Sequence, residues 1–120
     1  MSWPVPIVSD DAEEGDGPVL VTLEYIIADP NDRERLLTAL ERLRHERMRD
    51  GAYHWDIFED TAQPGKFLET FLVDSWVEHL RQHDRVTKAD EIHQQSIQHL
   101  LSGEPKVTHF IERRAEMSAR

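Results

Sequence analysis

The chain has no cysteine, which removes disulfide frameworks and thiolate metal sites and fits a reducing compartment, the cytoplasm by default. It has no apolar run near the roughly 18 to 20 residues that cross a bilayer, and its N-terminus lacks a basic and then apolar leader. A soluble chain is expected. Basic residues are scarce: 14 Lys and Arg stand against 24 Asp and Glu, a formal charge of −10. That balance disfavours nucleic acid as a partner, because phosphate binding needs a concentrated basic surface. No serine or cysteine nucleophile motif, metal cage or phosphate loop is present, and asparagine occurs once, at Asn31.

At 120 residues the length is that of one domain. Residues 1–17 read as an acidic linker or tail: Asp10, Asp11, Glu13, Glu14 and Asp16 combine with Pro4, Pro6, Gly15 and Gly17, a composition that buries too little apolar area to offset backbone ordering. Trp3, Val5, Ile7 and Val8 are more apolar than a free tail usually is. This edge therefore docks on its own domain or on something absent, or else is a loosely ordered terminus. The folded domain is expected over 18–113, with a charged tail over 114–120.

Within that domain, Pro18 to Ala28 is rich in Val, Ile and aromatic residues and reads as a central strand, apolar on both faces. Asp29-Pro30 ends it, and Asp29 or Asn31 can cap a helix running to about Arg49. Leu36, Leu37, Leu40 and Leu43, with Met48 as a further member, form its apolar stripe; Arg33, Arg35, Arg42, Arg44, Arg47 and Arg49 read as a solvated, self-paired surface. Asp50-Gly51 stops the helix. A strand over Ala52 to Glu59 alternates Tyr53, Trp55 and Ile57 against His54, Asp56 and Phe58. The turn around Pro64-Gly65 then leads into a strand from Lys66 to Asp74. Ser75 with Glu78 makes a capping pattern for a helix from Trp76 to about Arg85. A second helical stretch follows from Lys88 to Leu101, and the last strand spans Lys106 to Glu112.

Right-handed crossovers applied to this order give an α+β, ferredoxin-like split βαβ fold: a four-stranded antiparallel sheet with its helices on one face. The other face is apolar too and would be left bare, exceeding the few hundred Å² usual for soluble monomers. A homodimer packed through the open sheet face is the expected partner arrangement.

Residues Pro18 to Ile111 resemble the dimeric α+β barrel superfamily that contains the antibiotic-biosynthesis monooxygenases. Glu69, Leu80 and His83 stand where that group has a strand glutamate followed by a leucine and a histidine on the next helix. The strings PVLVTLEYIIADPNDRERLLTAL, RMRDGAYHWDIFED and PGKFLETFLVDSWVEHLRQHDRVTKAD, with the leading WPVP, resemble more closely the soluble C-terminal region of major facilitator superfamily exporters of the transmembrane secretion effector type. That resemblance implies a dimerisation and small-ligand-binding accessory domain, cytoplasmic and held at the inner membrane where a transporter portion is attached. The wider group implies the alternative: a cofactor-independent monooxygenase, using neither metal nor flavin, acting on a small aromatic or polyketide-like substrate.

For that alternative the candidate pocket is Tyr25, His54, Glu69, Trp76, His79 and His83, with His83 and Glu24 as the catalytic candidates. His79 and His83 are four apart and share a helix face; Glu24, if partly buried on its strand, would have a raised pKa and accept a proton. The plain alternative makes Trp76 and Leu80 core, rings them with histidines, and pairs or exposes Glu24. The resemblance also implies an asparagine on the first strand in the haem-degrading and quinone-forming members, where this chain has Thr22 and Glu24 instead. Metal ligation by His79 and His83, with Glu78 or His93 as third donor, is a weak signal because no HExxH string accompanies the pair; no metal is expected.

Overall fold

Two patterns, apolar alternation in the strands and a leucine stripe in the helix, meet to form the layer structure. The computed structural model describes residues 17–77 and 94–115. Strand β1 (Val19–Ile26) leads through a 3-10 turn (Pro30–Asp32) into helix α1 (Arg33–Arg49), followed by β2 (Tyr53–Glu59), β3 (Lys66–Val73) and β4 (Lys106–Ile111). The four strands form one antiparallel sheet in the order β2-β3-β1-β4, the ferredoxin-like arrangement expected.

The 3-10 turn that leads into α1 begins where the Asp29 side chain accepts the backbone N–H of Asn31 at 3.0 Å, satisfying a donor that a first turn leaves without a partner; α1 itself starts from Asp32 with no side-chain cap. It ends at Gly51, whose φ of 105° is left-handed and open to glycine without a Cβ clash. Leu36, Leu40 and Leu43 are wholly buried and pack with Val19, Val21, Leu23 and Tyr25 of β1 and Phe67, Phe71 and Val73 of β3. Burying a Leu or Phe side chain contributes about 1.5–3 kcal/mol, so this row dominates cohesion.

Three expectations need correction. Met48 is 39% exposed; the stripe continues to Arg47, whose side chain is only 13% exposed. The alternation of β2 breaks: Tyr53 pairs with Leu72 and Asp56 with Thr70, so His54 and Trp55 share the space opposite Phe71. His54 takes up the extra residue at φ 53°, a β-bulge, and Tyr53 shares the face of its partner Leu72 rather than that of Ile57. Lastly, the helical stretch expected to reach Leu101 stops after residue 98. Leu101 instead bridges to Ile27, with Ala28 N–H donating to Leu100 O at 2.9 Å. Ile97, Leu100 and Leu101 still enter the core. Of the helix expected from Trp76, only residues 76–77 are described, and both are helical.

The face of the sheet away from α1 is organised in rows across the strands. Tyr53, Leu72, Leu20 and Phe110 form one row; Asp56, Thr70, Thr22 and Thr108 the next; Phe58, Leu68, Glu24 and Lys106 the third. Phe58 and Phe110 are each more than half exposed.

Candidate functional site

One polar cluster lies between α1 and the sheet, and its centre is Glu69. The alternation of β3 turns this residue toward the helix, between Phe67 and Phe71, where its side chain is fully buried. A buried carboxylate without partners costs far more than the fold can spare, and the surroundings supply donors. Arg47, projecting from the last turn of α1, donates Nε–H to Oε2 at 2.9 Å and Nη2–H to Oε1 at 3.1 Å. The Tyr25 hydroxyl donates to Oε1 at 2.7 Å, and Trp55 Nε1–H donates to Oε2 at 2.7 Å. Four donors thus meet a group with about four acceptor positions.

The cluster is electrostatically closed. Burial by itself pulls the Arg47 guanidinium toward deprotonation, but the charge and hydrogen bonds of Glu69 outweigh this and leave it more basic than usual. The same guanidinium lies 5.0 Å from the Phe71 ring centroid, within cation–π range. Burial, then the negative charge of Glu69, push the Tyr25 hydroxyl well above its ordinary range. Tyr25 is therefore a neutral donor at physiological pH.

The remaining candidates among the described residues do not join this group. Trp76 is buried and meets His109 of β4 edge-on, ring centroids 5.5 Å apart, so it lines the same side of the sheet nearer β4. His54 is exposed on the outer strand, at the bulge. Glu24 lies on the opposite face: Lys66 Nζ approaches Oε1 at 2.9 Å and Lys106 Nζ approaches Oε2 at 3.8 Å. Hydrogen bonding to Lys66 leads the effects that hold its carboxyl below the usual range, which corrects the expectation of a raised pKa and a proton-accepting role. His79 and His83, with Glu78 and His93, lie outside the described residues. Among the described residues no group of three or more acidic or histidine side chains is placed to hold a metal.

Arg47, read from sequence as self-paired surface, and Trp55, read only as one face of β2, are members that the sequence reading did not name. A signal existed for the first: 36, 40, 43 and 47 continue one helical face, so an arginine at the fourth position had to be paired or exposed.

The sequence profile of the transmembrane secretion effectors matches residues 1–117. The chain belongs to that family. Solved structures similar to this family member include a protein of Caulobacter crescentus CB15 assigned as an antibiotic biosynthesis monooxygenase (13% identity, 84% of this chain and 94% of that one, TM-score 0.70). A Deinococcus radiodurans protein with the same assignment aligns at 21% identity over 81% and 95%, TM-score 0.64. A Mycobacterium tuberculosis protein aligns at 22% identity over 85% and 100%, also at 0.64. At these identities the likeness establishes the fold. No curated protein matches the chain. Among the described residues no helix is long and apolar enough to cross a membrane.

Proposed function

We propose that this chain is a self-associating accessory domain of the secretion effector family, built to hold two copies together and to bind a small apolar ligand, rather than to turn one over. The observation that carries this reading is the saturation of Glu69: the buried carboxylate of the helix-side core has its acceptor positions filled by Arg47, Tyr25 and Trp55. Such a carboxylate braces the fold and offers no position to a reacting molecule. The row of Tyr53, Leu72, Leu20 and Phe110, with Phe58 and Leu68 two rows on, supports a second copy as the cover. Removing several hundred Å² of such surface from water contributes several kcal/mol at about 25 cal/mol per Å², before association costs. His79 and His83 remain proposed lining of the ligand pocket beside Trp76.

The second reading, a cofactor-independent monooxygenase acting on a small aromatic or polyketide-like substrate, draws support from the assignments carried by the fold neighbours. Two measurements separate the readings. Sedimentation at micromolar protein should give a dimer that Phe110→Glu converts to monomer. Oxygen uptake with anthrone- and quinol-type compounds should stay at the buffer rate, whereas uptake abolished by His83→Ala would favour the enzyme.

A further inference from the structure

Along the strand order β2-β3-β1-β4, two rows on the open face of the sheet have a symmetric composition. The first runs Tyr53, Leu72, Leu20, Phe110, with an aromatic ring at each edge and a leucine on each central strand. The second runs Asp56, Thr70, Thr22, Thr108, with a carboxylate at one edge, a hydroxyl at the other and a threonine on each central strand. Thr22 is buried, Thr70 and Thr108 are half-buried and Asp56 is exposed. Reversing the strand order sets like on like in the first row, and in the second brings the carboxylate onto a hydroxyl that can donate to it.

Two copies joined by the same face are related by a two-fold axis lying between the sheets. Packed sheets keep their strands within about 30° of each other, so the axis runs either along the strands or across them. Along the strands, between β1 and β3, it lays β2 over β4 of the second copy and β3 over β1. Tyr53 then faces the partner's Phe110, Leu72 the partner's Leu20, Thr70 the partner's Thr22 and Asp56 the partner's Thr108. In the third row Phe58 faces the partner's Lys106, a cation–π pairing, and Leu68 faces the partner's Glu24, a carboxylate that Lys66 holds within its own chain.

An axis across the strands fits poorly. Over the second row it opposes Asp56 to the partner's Asp56, and over the third it opposes Glu24 to Glu24 and Lys106 to Lys106; like charges opposed in an interface disfavour association. Over the first row it leaves the other two rows outside the overlap, and between rows it sets threonine against leucine. Resting on the self-association proposed above, we propose that the second copy is seated with its axis along the strands between β1 and β3, so that the β2 edge of each copy covers the β4 edge of the other and Asp56 meets Thr108.

Sedimentation equilibrium of the full chain tests this, with the dimer dissociation constant as the readout. Thr108→Asp, which sets a second carboxylate opposite Asp56, should raise that constant at least about tenfold. Thr108→Lys should leave it equal or lower, which separates charge from a loss of packing that weakens both variants. Asp56→Lys combined with Thr108→Asp should return it to within about threefold of the parent value. Within one chain these two positions stand three strand spacings apart, about 14 Å, where salt screens their direct attraction, so the rescue reports the contact between copies. A dimer that Thr108→Asp leaves unchanged, that both Thr108 variants weaken alike, or that the double variant fails to restore overturns this seating and leaves self-association standing. A parent that stays monomeric at every concentration overturns both.

Discussion

Glu24 and Glu69 are both strand glutamates, yet they occupy opposite faces and opposite environments. Glu24 meets lysine ammonium groups beside solvent; Glu69 meets a guanidinium fork, a phenol and an indole in the dry layer. Tyr25 reports on the second environment through alkaline stability. Its folded pKa lies above the unfolded value, so its stabilising share is complete below about pH 10 and is lost as pH rises toward the folded value, since only the unfolded chain ionises there. Tyr53 is shifted the same way by burial and then by Asp74 and Glu112, which adds to the slope. The urea midpoint should therefore fall between about pH 9 and 11 in the parent and fall less steeply in Tyr25→Phe; parallel slopes would refute the assignment.

At the scale of elements, α1 meets the sheet through its leucine stripe and two ion pairs, the buried Arg47–Glu69 pair and the more exposed Arg33–Glu59 pair. Replacing Arg47 by Leu leaves the Glu69 carboxylate buried without its cation and should cost about 3–5 kcal/mol, read as a drop in the urea midpoint. The triple change Arg47→Met, Glu69→Leu, Tyr25→Phe should recover most of that loss, because an apolar set of similar volume needs no desolvation to be repaid. The order of strands and the helix stripe were legible from periodicity alone, since Val19, Val21, Leu23 and Tyr25 alternate as strictly as Leu36, Leu40 and Leu43 recur. The bulge was not legible: Tyr53-His54-Trp55 contains no glycine, and only the pairing with Leu72 and Thr70 reveals that His54 carries the positive φ. The candidate site was half legible. Tyr25 and Glu69 were named as pocket members, but of the other donors to Glu69, Arg47 read as self-paired surface and Trp55 only as one face of β2.

For the molecule as a whole, the proposed self-association would make stability a function of concentration. A dimer that covers Phe58 and Phe110 gains free energy by mass action, so thermal midpoints should rise with protein concentration in the parent and be flat in Phe110→Glu. A flat response in both would leave the face uncovered in solution and sink the self-association reading.

The guanidinium–carboxylate contact has a further consequence for how α1 sits. Aliphatic side chains tolerate sliding and small rotations, since any greasy neighbour serves. A planar two-pronged donor facing a planar two-pronged acceptor admits one azimuth and one axial setting. Arg47 in the final turn thus acts as a keyway, locking the rotational phase of a helix that leucines alone would hold only loosely.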